Sequence, residues 1–174
     1  MWRTFIVLLL SLVSPLALAF SYTVEMTEQE LQQRLSALMP LERKELFVTV
    51  VVSQPQVDLA VGNNQLGIFA HIEVSTPSGM GAGKVKIQGR LSYQAKEAAF
   101  YLSNPKLVRL DIENVPQEFL PAIREISQLA ISHLLETQPV YVLRNDNLRH
   151  RLLKSSLKSV SIKDRRLLVE LNAP

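Results

Sequence analysis

Residues 116–136 read PQEFLPAIREISQLAISHLLE, and the fold turns on how this stretch is understood. Leu120, Ile123, Ile126, Ala130 and Leu134 recur at helical spacing and form one apolar stripe. Phe119, Ala122, Leu129 and Ile131 widen that stripe beyond what a helix on a surface needs. Pro116 suits the first position of a helix, because its missing N–H has no partner there in any case. A helix over this stretch spans about 31 Å. A ten-residue strand spans roughly 33 Å. The helix can therefore lie along the whole length of a sheet, and its broad apolar arc calls for a concave sheet wrapped around it.

The preceding residues supply such a sheet. Leu46, Val48, Val50 and Val52 alternate with Phe47, Thr49, Val51 and Ser53, which predicts a strand apolar on much of both faces. Val57, Leu59 and Val61 predict a second strand, closed by a turn at Gly62-Asn63-Asn64. Leu66, Ile68, Ala70, Ile72 and Val74 predict a third. Pro77 to Gly83 reads as a loop, followed by a strand carrying Val85, Ile87, Gly89, Leu91 and Tyr93. After a turn at Gln94 to Glu97, Phe100 and Leu102 lie opposite Tyr101. Beyond Asn104-Pro105, Val108, Leu110 and Ile112 face one way and Arg109, Asp111 and Glu113 the other. Short connections imply an antiparallel meander with one buried and one wet face.

Outside this core, Thr27-Glu28-Gln29-Glu30 is a capping box, with the Thr27 hydroxyl and the Glu30 carboxylate each serving the other's amide. Leu31, Leu35, Leu38 and Met39 continue it as one helical face, ended by Pro40. Pro139 to Leu143 reads as extended, and Asp146 can cap a helix bearing Leu148, Leu152 and Leu153. Leu157–Lys163 and Leu167–Leu171 form a hairpin around Asp164-Arg165. No internal repeat is evident. The predicted class is α+β: one curved antiparallel sheet wrapped around a long helix in the C-terminal half, plus a short N-terminal helix.

Residues 1–19, MWRTFIVLLLSLVSPLALA, have one charge (Arg3), a short apolar run and an Ala17-Leu18-Ala19 end. This is the pattern of a secretory signal peptide, and the run is well short of the roughly 20 residues of a membrane-spanning helix. The expectation is a leader over 1–19 and a single domain over 20–174, located in the periplasm. The chain of 174 residues has no cysteine. That excludes disulfides, a thiol nucleophile, cysteine metal sites and lipid attachment at an N-terminal cysteine. With 47% apolar and 20% charged residues the composition is that of a globular protein.

No arrangement of residues carries a reaction. His71, His133 and His150 share no metal-ligand spacing. Gly79, Gly81, Gly83 and Lys84 fail as a phosphate loop, since Val85 follows the lysine and a strand comes next. There is no G-x-S-x-G and no H-E-x-x-H. Asp111 and Glu113 share a strand face, as solvated charges commonly do. No catalytic residue, metal or cofactor is expected. Two other features carry more. From Arg144 to Arg166 there are eight Lys and Arg against two acids. Arg144, Arg149, Arg151, Lys154, Lys158, Arg165 and Arg166 could face anionic head groups or a protein partner, or be a solvated face. Nucleic acid is not expected for a secreted chain without interleaved aromatics. The apolar surplus, in turn, makes either a filled core or a groove for a lipid or other apolar ligand. Such a groove would lie between Leu120, Ile123, Ile126, Ala130 and Leu134 of the helix and Val50, Leu59, Ile68, Ile72, Ile87 and Leu91 of the sheet.

Phe100 to Leu107 (FYLSNPKL), the long helix, Gln138 to Leu143 (QPVYVL) and Leu157 to Ile162 (LKSVSI) together resemble the YceB-like family of bacterial envelope proteins. That family is similar to one module of the tubular lipid-binding (TULIP) superfamily, in which a curved sheet wraps a long helix around an apolar cavity. The resemblance implies a lipid or other apolar ligand and no catalytic residues. Members are often lipoproteins; here Phe20 stands where their cysteine would, so a soluble periplasmic form is expected.

Overall fold

A computed structural model describes residues 21–60, 65–143 and 156–172. The leader, the turn at 62–64 and the helix expected from Asp146 lie outside the described residues. The capping box forms as the sequence predicts: the Glu30 amide donates to Thr27 Oγ1 at 3.2 Å, and the Thr27 amide donates to Glu30 Oε2 at 2.9 Å. Helix α1 (Glu28–Ala37) follows, burying Leu31 and Leu35. Ahead of it Tyr22, Val24 and Met26 alternate with Thr23 and Glu25, and this piece is a strand, β1 (Ser21–Thr27), which the sequence reading left unassigned.

The expected strand from Leu46 is instead the second half of a hairpin. Strand β2 (Leu41–Glu45) pairs with β3 (Val48–Asp58), and Leu46-Phe47 is the tip between them. The two strands expected at 46–53 and 56–61 are one strand, and so are the two on either side of Asn104-Pro105. The physical reason is the same in both. Gln54 and Asn104 each take a left-handed φ of 49° ahead of a proline. This puts two residues opposite one: Gln54-Pro55 face Ala70, and Asn104-Pro105 face Gly89. The chain bulges and the strand continues. Each bulge is held by a helix. Gln32 of α1 accepts from the Val57 amide at 2.8 Å and donates to the Pro55 carbonyl. Gln128 accepts from the Leu107 amide at 2.8 Å and donates to the Pro105 carbonyl at 2.7 Å. Ser36 and Ser132, one turn further along, receive a second bond from the same two amides. The chain thus uses one device twice.

Strands β4 (Gln65–Thr76), β5 (Gly79–Gln94), β6 (Ala99–Glu113) and β7 (Tyr141–Val142) complete a six-stranded antiparallel sheet of order β2-β3-β4-β5-β6-β7. The loop expected over Pro77 to Gly83 is mostly strand, because β5 starts at Gly79. Its glycines serve a close approach of β6: a Cβ on Gly83 would sit 1.8 Å from the Asp111 carbonyl oxygen. The long helix opens with a short 3-10 turn (Gln117–Phe119) and runs as α2 (Leu120–Thr137). It packs against β6 and also against β2 and β3, near the opposite edge of the sheet, so the sheet curls about it. Ile123, Ile126, Ala130, Ile131 and Leu135 are buried, while Ala122 and Leu129 face solvent, so the buried arc is narrower than the sequence suggested. The C-terminal hairpin forms as expected, β8 (Ser156–Lys163) and β9 (Arg166–Asn172), with Asp164 and Arg165 both at positive φ. It does not join the large sheet. With β1 it makes a second sheet of order β1-β9-β8, so the single predicted sheet is two. No described helix is long and apolar enough to cross a membrane.

Candidate functional site

The residues expected to line a groove are brought together, but as packed core. Val50, Leu59, Ile68, Ile72, Ile87, Leu91, Ile123, Ile126 and Ala130 are all buried. Leu134 is partly buried against them. Only Leu120, at the start of α2, reaches an open space.

That space is a cleft of about 730 Å³ where β5 begins, β6 ends and α2 starts. Strand register decides its character. Gly83 pairs with Ile112 and Val85 with Leu110, so Gly83, Leu110 and Ile112 lie on the face that packs toward α2. With Leu120 they form an apolar wall. His71, Lys84 and Asp111 sit at one register across three strands, and Ala82 pairs with Glu113. These side chains alternate to the other face of the sheet, so the lining draws on both faces at this end. His71 lies 3.7 Å from Glu73. The lining is therefore mixed, with apolar residues on the helix side of the sheet and polar ones on its outer side. Of these residues the sequence reading had only Leu120 as a lining residue; it set Asp111 and Glu113 aside as solvated charges and missed Leu110 and Ile112. The signal was present: the alternation leaves both apolar at the free end of β6, where β7 reaches only Ala99 and Phe100.

The basic residues behave differently from a free cationic patch. Arg144, Arg149, Arg151 and Lys154 lie outside the described residues. The other three are engaged within the chain. Lys158 reaches Glu170 at 2.6 Å, Arg165 forms a fork on Glu28 with both contacts at 2.9 Å, and Arg166 reaches Glu25 at 2.5 Å. Bonds from Lys158, Ser21 and Ser159 hold the Glu170 carboxyl below its usual range. The Glu28 carboxylate raises the Arg165 guanidinium further. Elsewhere, a hydrogen bond to Glu97 raises the Tyr101 phenol, and burial raises that of Tyr93.

A family model described as "Protein of unknown function (DUF1439)" matches residues 26–166. No curated protein matches the chain. Among solved structures, one titled "Crystal structure of lipopolysaccharide binding protein" is similar at 14% identity and a TM-score of 0.34, covering 87% of this chain and 40% of that one. The present chain thus spans less than half the length of that protein.

Proposed function

The chain belongs to the DUF1439 family, and we propose that it is a non-catalytic periplasmic protein that binds a lipid or other apolar ligand at the end of the fold where the sheet and α2 part. The observation that carries this reading is the mixed lining at one end of the sheet: Gly83, Leu110, Ile112 and Leu120 on the helix side, His71, Lys84 and Asp111 on the outer side. An amphiphile at that end would lay its tail along the apolar helix side and keep its head group at the polar outer side. The volume of about 730 Å³ is in the range of ligand sites, roughly 300–1,000 Å³. The helix held between opposite edges of one antiparallel sheet fits a TULIP-type module, with the middle of the tube filled by side chains and the ligand confined to its mouth. The leader expected over 1–19 would deliver the chain to the periplasm.

Docking through the basic C-terminal segment is the other reading. It has less support, because Lys158, Arg165 and Arg166 already have acidic partners. The test is native mass spectrometry of protein purified without detergent, then organic extraction. A bound species of lipid mass is expected in the wild type. Its occupancy should fall at least fivefold in Ile112→Trp, which fills the cleft from a half-exposed position. An apo mass with no uptake of added fatty acid or phospholipid overturns the reading.

A further inference from the structure

Among the described residues, the three most exposed large apolar side chains gather at one end of the molecule. Leu46 is 89% exposed, Phe47 78% and Met80 71%. Leu46 and Phe47 are the two-residue tip of the β2–β3 hairpin, since Glu45 pairs with Val48. Met80 is on the neighbouring β4–β5 hairpin. Thr49 pairs with Ser75, and Ser75 with Met80. The two tips therefore stand two strand spacings apart, about 10 Å.

Leu46 occupies its place against local preference. Its φ is 51°, and the first loop position of such a turn favours glycine. It gains no burial in return. A leucine in that backbone conformation, almost wholly in water, improves neither the turn nor the core.

We propose that this end is a lipid-surface contact, in which Leu46, Phe47 and Met80 enter the head-group layer of a bilayer. The shape favours a bilayer over a protein. Hairpin tips are convex, and three side chains fall far short of the roughly 800 Å² per partner of a stable protein interface. A bilayer needs no complementary pocket. Local charge does not select anionic lipid: Arg43 is paired with Glu45 at 2.7 Å, leaving Lys44 beside the tip. The contact is apolar and tolerates salt. Its position connects it to the cleft. Ala82, which lines the cleft, is two residues beyond Met80 on β5, so a bilayer touching the tips lies at the mouth. That connection rests on the ligand-binding reading; the surface contact itself does not.

The experiment is co-sedimentation of the purified protein with vesicles of phosphatidylcholine alone and with added phosphatidylglycerol, at low and high salt. The wild type is expected to bind both vesicles at both salt levels. The double variant Leu46→Gly, Phe47→Ser should lose at least tenfold in binding while its melting temperature holds or rises, because glycine suits φ 51°. Trp2, the chain's only tryptophan, lies in the expected leader, so in protein without residues 1–19 Phe47→Trp supplies the sole tryptophan, and its emission should shift to the blue when phosphatidylcholine vesicles are added. Unchanged binding by the double variant, no blue shift, or binding that needs anionic lipid and vanishes in salt each overturns the proposal. Failure of vesicle binding with lipid still found by mass spectrometry removes the tip and leaves the cleft. The reverse result removes the cleft and leaves the tip.

Discussion

Replacing Gln128 by leucine tests the device that joins α2 to the sheet. The side chain makes two bonds to the β6 bulge, at 2.8 Å from the Leu107 amide and 2.7 Å to the Pro105 carbonyl. Leucine is close in volume and keeps the packing, so the change isolates the polar loss. It strands the Leu107 amide and leaves the Pro105 carbonyl only the Ser132 hydroxyl, at 3.5 Å. A buried polar group without a partner costs about 1–3 kcal/mol. Both groups here are partly buried, so the lower half of that range applies to the amide and its lower end to the carbonyl, about 2–3 kcal/mol in total. With a urea slope of roughly 1–3 kcal/mol/M, the midpoint should fall by about 1 M. Hydrogen exchange at the Leu107 amide should accelerate in the same variant. Gln128→Glu adds a sign to the test. The carboxylate still accepts from Leu107 but faces the Pro105 carbonyl with no proton to give. The protonated acid can donate, so its folded pKa is raised above the unfolded value of about 4.3. That variant should recover stability relative to the wild type as pH falls through the raised value. A loss under about 0.5 kcal/mol for Gln128→Leu, with Leu107 exchange unchanged, would refute the clamp.

Two further outcomes follow from the same geometry. Gly83→Ala should lose at least about 3 kcal/mol or fail to yield soluble protein, because the new Cβ meets the Asp111 carbonyl oxygen at 1.8 Å and backbone cannot yield cheaply; a stability within about 1 kcal/mol of wild type, read by urea denaturation, would show that β6 can move away. Glu170 has a folded pKa below the ordinary 4.5, chiefly through its bond from Lys158, so its contribution is present above that value and lost as pH falls through the depressed one. The difference in melting temperature between the wild type and Glu170→Gln should therefore be present at neutral pH and close in acid; a constant difference across the range counts against the Lys158–Glu170 link.

Local features were legible in the sequence where a few neighbouring residues decide them. The capping box at Thr27–Glu30, the long helix and the Asp164-Arg165 hairpin all depend on contacts within a few positions. The bulges were illegible because a proline inside an alternating run reads as a break. What turns each break into a continuous strand is a glutamine 21 to 25 residues away. The split into two sheets was hidden for a related reason: β1 and β9 lie at opposite ends of the chain and meet only in the fold. Charge counting over residues 144–166 misjudged Arg165 and Arg166 similarly, since their partners Glu28 and Glu25 are 137 and 141 residues distant.

The candidate site moved from the middle of the helix to its start, and packing explains the direction. The Gln32 and Gln128 clamps tie α1 and α2 to the sheet at Pro55 and Pro105, and around them the core is filled by Ile68, Ile72, Ile87 and Ile123, all fully buried. Opening a groove there would break the best-packed contacts in the molecule. At the other end β6 runs past its last strand partner on β7, the small residues Gly81 and Gly83 let it cross β5 closely, and Leu110, Ile112 and Leu120 are left half covered. The least costly place to admit an apolar group is therefore that end, and it is also where Leu46, Phe47 and Met80 project. A ligand held there lies against one wall and is not enclosed. Such a site cannot cover the 70–90% of ligand surface that an enclosed pocket does. If the cleft takes a lipid, the complex must complete its burial against something else, and a bilayer touching the hairpin tips would supply that cover. Ligand exchange should then be faster in the presence of vesicles than in their absence, and should lose that acceleration when Leu46 and Phe47 are replaced. Acceleration that survives the replacement would separate the cleft from the tips and leave them as two unrelated surfaces.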